Sequence, residues 1–237
     1  MAATTSVIFD FFHTLTVGTS ASERRAGVEP VAQALGIPGD VLFLTLGTTF
    51  VERATGSRGD SVATMRWVAQ LCGHEPSMEQ LHAACELRSA IESSYARNIR
   101  PDAVPAAAQL KADGFKLGLM SDCTHELPRI WGELPIAQYF DATVFSVNEG
   151  HCKPDQRLYA RICDLLDVEP EECLYVGDGG GRELSGADAF GMRAAQLVAP
   201  ESRDGLVFNP DVDWAGVRIT SLAEVIALAG SRRNATG

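Results

Sequence analysis

The chain has 237 residues, 46% of them hydrophobic, and its 20 basic against 31 acidic residues leave a formal net charge of −11. That balance excludes a generally basic nucleic-acid binder, because phosphate neutralisation needs a basic surface. The apolar fraction excludes a disordered chain, and no apolar run approaches the roughly 20 residues of a membrane helix.

The start, Met1-Ala-Ala-Thr-Thr5, has no basic stretch before the first apolar run and is read as lacking a signal peptide. Ser6 to Phe9, short, apolar and β-rich, predicts a buried parallel strand ending at the carboxylate of Asp10. Residues 18–99 change character: rich in Ala, Leu, Glu, Arg and Gln, with helical apolar spacing and glycine breaks, they predict about four helices and no strand. After Pro101 helix and strand alternate. Helices are predicted over 105–113, 154–166, 184–190 and 222–229, and strands over 115–120, 142–146, 173–176 and 192–198. Residues from Ser231 onward read as a frayed end. Strands separated by helices imply right-handed crossovers and a doubly wound, Rossmann-like parallel sheet of the α/β class. The expected division is a core of residues 1–17 and 100–237 with an inserted helical bundle, 18–99. Six scattered cysteines, none in C-x-x-C spacing, read as idle thiols in a reducing cytosol, so the expected location is cytoplasmic.

Polar groups stand at the ends of the predicted strands: Asp10 after the first, Ser121 after the second, Asp178 after the fourth, and Lys153 before the helix that follows the third. Ligands of open parallel sheets bind outside the carboxyl ends of the strands. Two carboxylates, a lysine and a hydroxyl converging there suit an anionic ligand with a hard cation.

Asp10-Phe-Phe-His-Thr14-Leu15, Ser121 at a strand end, Lys153-Pro154, and Gly177-Asp178 followed by Glu183 together resemble the four motifs of the haloacid dehalogenase-like hydrolases. The trailing Gly186-Ala-Asp-Ala-Phe-Gly-Met192 is similar too. The insertion falls where that family places a helical cap. The resemblance implies Asp10 as nucleophile, Ser121 and Lys153 as groups that hold the transferring phosphoryl, and Thr14 as a positioning group. It implies Mg2+ held by Asp10, the backbone carbonyl of Phe12, Asp178 and, directly or through water, Glu183. The implied partner is a small anionic substrate, with no nucleic acid or membrane, and the implied assembly is a monomer or homodimer.

One position departs from the phosphatases of the family. Their second aspartate, which protonates the leaving group, is here Phe12, and general acid help is worth about 10²–10⁴-fold. The 2-haloacid dehalogenases carry an aromatic residue there and need no acid, but they usually lack the Gly-Asp pair kept at Gly177-Asp178. No lysine occurs in 18–99, against a Schiff-base route. The expected function is therefore a magnesium-dependent phosphatase. A metal-free 2-haloacid dehalogenase and a catalytically impaired ligand- or partner-binding protein are the alternatives. His13 is a candidate substitute acid, and Arg53 and Arg58 are candidate substrate-anion binders. The Gly179-Gly-Gly181 run lacks the Lys-Ser/Thr of a P-loop and reads as a turn.

Overall fold

The computed structural model describes residues 3–199 and 208–231, so the stretch read as a frayed end lies, from residue 232, outside the described residues. Strand β1 (Ser6–Phe9) leads into five helices: α1 (Ala21–Leu35), α2 (Gly39–Thr48), α3 (Phe50–Ala54), α4 (Ser61–Leu71) and α5 (Met78–Arg97). Then follow α6 (Ala103–Ala112), β2 (Lys116–Ser121), α7 (Glu126–Ile130), β3 (Ala142–Phe145), α8 (Ser146–Glu149) and α9 (Gln156–Leu166). The chain closes with β4 (Cys173–Gly177), α10 (Glu183–Ala189), β5 (Arg193–Leu197), β6 (Val217–Ile219) and α11 (Ala223–Gly230).

The six strands form one parallel sheet in the order β3-β2-β1-β4-β5-β6. This is the expected α/β fold with one strand more than predicted. The extra strand, β6, is three residues long with two of them exposed, so it leaves no apolar run to read. The alternation of β1 assigns its side chains to two cores. Val7 and Phe9 pack with Leu117, Leu119, Leu174 and Val176 on one face, and Ile8 packs with Met120, Val144 and Tyr175 on the other. Helix α9 covers the second face with Leu158, Tyr159, Ile162, Cys163 and Leu166, spaced along one stripe.

Helices α1–α5 have a core of their own, built from Val31, Leu35, Leu42, Met65, Val68, Leu81 and Ala84. Capping boxes start two of them, Ser20 with Glu23 for α1 and Ser77 with Gln80 for α5. The short α3 makes five helices where about four were expected; among the described residues no strand lies between Ala21 and Arg97. The two chain crossings between this bundle and the sheet run side by side. Thr16 and Ile99 form an antiparallel bridge, Val17 N–H donates to Asn98 O at 2.8 Å and Arg100 N–H to Leu15 O at 2.9 Å.

Candidate active site

The chain winds outward from β1 in both directions, so β1 and β4 flank the point where the order reverses, and ligands of such sheets bind there at the carboxyl ends. Asp10 follows β1, and its N–H still donates to Val176 O of β4 at 2.9 Å. Asp178 follows β4. Asp10, Asp178 and Glu183 each offer a carboxylate oxygen, and these oxygens lie within 4.8 Å of one another.

Lys153 joins the cluster. Its Nζ donates to Asp10 Oδ1 at 2.6 Å and to Glu183 Oε2 at 2.5 Å, all three side chains being buried. Burial opposes its charge, but Asp10 and Glu183 outweigh it and hold the ammonium well above the usual lysine range. Burial, with Asp178 nearby, raises the Asp10 carboxyl, while Lys153 pulls it back. Burial raises Glu183 strongly, against the same lysine. Both oxygens of Glu183 already accept hydrogen bonds: Oε1 from Gly179 N–H at 2.9 Å, Oε2 from Lys153 and from Tyr175 O–H at 2.8 Å. Asp178 is different. Burial would raise it, but hydrogen bonds from His13 and Gly180 N–H win, so it titrates below the usual aspartate.

Both ring nitrogens of His13 have partners, Nδ1 lying 3.5 Å from Asp178 Oδ2 and Nε2 accepting from Thr19 N–H at 3.5 Å. His13 thus braces Asp178, in a left-handed backbone conformation with φ of 62° that non-glycine residues seldom adopt. The hydroxyls of Ser121 and Thr14 are buried and have no hydrogen-bond partner. Neither residue lines the cavity above the cluster, whereas Asp10, Phe12, His13, Asp122, Lys153, Asp178 and Glu183 do. Phe12 presents an apolar ring, packed edge-on against Phe11 at 5.1 Å. Arg53 also lines the cavity. It is buried, donates to Leu46 O at 2.6 Å, and burial lowers its pKa to about 9, leaving it cationic at neutral pH. Arg58 does not: it is exposed and stacks over Trp67 at 4.2 Å.

Three participants escaped the sequence reading. Tyr175 and its hydroxyl lie inside an apolar strand run that reads simply as core. Asp122 lines the cavity and accepts from Lys153 N–H with both oxygens at 3.1 Å; its place beside Ser121 was the available signal. Asp211 holds the start of α10, accepting from Leu184 N–H at 2.9 Å and Ser185 N–H at 3.1 Å across 27 and 26 residues.

The sequence profile of the haloacid dehalogenase-like hydrolases matches residues 4–191. A glyceraldehyde 3-phosphate phosphatase of Methanopyrus kandleri is 34% identical over 114 residues, 47% of this chain and 48% of that protein. An (S)-2-haloacid dehalogenase of a Pseudomonas species is 36% identical over 100 residues, 41% of this chain and 43% of that one. The matched stretch thus spans less than half the length of either relative. The crystal structure of a 2-haloacid dehalogenase from Pseudomonas syringae superposes with a TM-score of 0.67 at 20% identity, covering 96% of this chain and 99% of that one. With the profile covering most of the chain and the carboxylate–lysine cluster at the sheet's carboxyl edge, this chain belongs to the haloacid dehalogenase-like hydrolase family.

Proposed function

We propose that the chain is a magnesium-dependent phosphatase with Asp10 as its nucleophile and the α1–α5 bundle as its cap. The observation that carries this reading is the cluster of Asp10, Asp178 and Glu183, three carboxylates against the single ammonium of Lys153. An all-oxygen, net-negative donor set fits a hard divalent cation that keeps several of its waters. Asp10, Asp178 and the Phe12 carbonyl would hold Mg2+. Glu183, whose oxygens already accept from Gly179, Tyr175 and Lys153, would support it through water. When bound, the ion offsets the charge that Asp10 and a phosphate bring together.

The chain's own residues then divide the work. An Asp10 carboxylate oxygen attacks phosphorus, the ester P–O bond breaks with its electron pair on the leaving oxygen, and an aspartyl phosphate forms. Water cleaves that acyl phosphate, releasing inorganic phosphate and restoring Asp10. Lys153, already 2.6 Å from Asp10, pairs with the transferred group's oxygens. The hydroxyls of Ser121 and Thr14 are buried, unpartnered and off the cavity lining, so either would have to turn toward the cavity to reach a phosphoryl group. Phe12 holds no proton, so the leaving oxygen takes one from water. Phe12 also supports a second reading, a metal-free 2-haloacid dehalogenase, whose halide leaves without a proton.

A panel of phosphate esters and 2-halo acids, run with Mg2+ and with chelator, tests both. Phosphate release that needs Mg2+ and falls by at least about 10³-fold in Asp10→Asn is expected. Halide release undiminished by chelator would replace the phosphatase reading with the dehalogenase one.

A further inference from the structure

Above its acidic floor the cavity, about 530 Å³ in all, is walled by Val28, Phe43, Leu46, Phe50 and Ile91 from the helical bundle. Phe208, from the loop before β6, closes the rim, its ring 5.0 Å from that of Phe50. Most of the polar groups set among these side chains already have partners within the protein, the exceptions being Arg24 Nε and Arg53 Nη1, which have none. Arg88 is paired with Glu92 and Glu126, each at 3.2 Å. The Thr48 hydroxyl donates to Leu44 O at 3.1 Å, and the Tyr95 hydroxyl to Glu23 O at 3.2 Å. Arg53 donates to Leu46 O.

Such a wall offers a ligand apolar area and, apart from the Arg24 and Arg53 guanidinium groups, few open hydrogen-bonding groups. Most hydroxyls of a sugar body would lose water there without replacement, which is costly. The cavity has room for many water molecules. A 2-halo acid of a few heavy atoms would leave most of that space wet. A second observation is independent of the wall: with Phe12 at the acid position, the leaving oxygen departs without a donated proton. That favours an oxygen whose conjugate acid is strong. A phenol, with a pKa of about 10, meets this need better than an alkyl alcohol.

We infer that the substrate is an aryl phosphate monoester, its phosphate on Asp10 and Lys153 and its aromatic body against Phe43, Phe50 and Ile91. The inference rests on the phosphatase reading for its chemistry, but the apolar wall is separable from it.

The test pairs binding with turnover. Calorimetry with Mg2+ present compares methylphosphonate, phenylphosphonate and naphthylphosphonate, none of which can be hydrolysed at the P–C bond. Affinity should rise along the series, by at least about tenfold from methyl to naphthyl. Ile91→Asn should remove most of that rise and leave methylphosphonate binding unchanged, with circular dichroism confirming the fold. Should that variant fail to fold, Phe43→Gln is read the same way. Naphthyl phosphate should also be turned over with a kcat/KM at least about tenfold above glycerol phosphate and glucose 6-phosphate. Equal phosphonate affinities, with sugar or glycerol phosphate turned over as well as naphthyl phosphate, overturn the aryl inference and leave the phosphatase reading standing. Graded, Ile91-dependent phosphonate binding without turnover of any ester supports the apolar-bodied ligand and overturns the phosphatase reading instead.

Discussion

Lys153 is where the site's electrostatics balance. Its ammonium is shared by Asp10 and Glu183, and Tyr175 O–H completes the Glu183 side of the arrangement. The backbone makes room for this: a Cβ at Gly177 would stand 2.0 Å from Glu183 Oε1, and that carboxylate cannot swing away while its partners pin it. Asp122 is a carboxyl of another kind. Burial raises it to about 6, with Lys153 opposing and Asp10 adding to the rise, from an ordinary 3.8. Between about pH 4 and 6 the native chain therefore binds a proton that the unfolded chain has released, and stability falls as pH rises through that window. Asp122→Asn keeps an acceptor for Lys153 N–H and carries no charge. Its stability relative to wild type should thus improve from pH 4 to pH 7, by on the order of 2–3 kcal/mol. Thermal melts of both proteins at the two pH values measure this; an identical difference at pH 4 and pH 7 would show that Asp122 ionises like a solvated aspartate.

Among the elements, α5 and α7 tie the helical bundle to the sheet. Arg88 of α5 pairs with Glu126 of α7, whose carboxylate also accepts from Thr124 O–H at 2.5 Å. Burial would raise Glu126, but Arg88, the Thr124 bond and Arg53 lower it, so it is charged at neutral pH. Two further bonds cross the same gap: His125 Nε2 lies 2.9 Å from Gly59 O, and Ser146 O–H donates to Ala54 O at 2.7 Å. Glu126→Gln leaves Arg88 only Glu92 and strips the nearby Arg53 of a counter-charge. Breaking a mostly buried pair from one side is expensive. A loss of about 1–3 kcal/mol is expected, read as a Tm lowered by several degrees in a chain of this size. An unchanged Tm would mean that the pair adds nothing to holding bundle and sheet together.

For the molecule as a whole, the acidic groups of most consequence are the three carboxylates at the β1/β4 edge, which outnumber the one ammonium beside them. Their mutual repulsion in the native state makes metal binding a stability effect. A cation that binds only the folded chain at a hundred times its Kd adds about 2.7 kcal/mol. Saturating Mg2+ should therefore raise Tm by about 5–10 °C over chelator. Asp178→Ala should lose most of that shift, which needs no substrate to observe. An equal shift in wild type and Asp178→Ala would place the ion elsewhere.

The sequence by itself determined the class of fold and the order of most elements. Strands of four to six residues with both faces buried show as uninterrupted apolar runs, and helices such as α9 show as apolar stripes, because both are local consequences of burial. It also named Asp10, Lys153, Asp178 and Glu183, which meet at the sheet edge, since a parallel sheet delivers the residue after each strand to the same side whatever the distance along the chain; Ser121 and Thr14, named with them, stay off the cavity lining. What it could not supply was how those groups are shared. Glu183 read as a direct or water-mediated supporter of the metal, and only the structure shows that its oxygens also accept from Gly179, Tyr175 and Lys153. His13 read as one candidate for the missing acid, and only the structure shows Asp178 and Thr19 beside its two nitrogens. Arg53 and Arg58 read alike, and only Arg53 lies in the cavity. The start of α10 is held by Asp211, which no local pattern connects to it. In each case a side chain's partner is set by distance in space across tens of residues of chain, and hydrogen bonds and ion pairs are decided within a few ångströms that only the packed sheet and bundle fix.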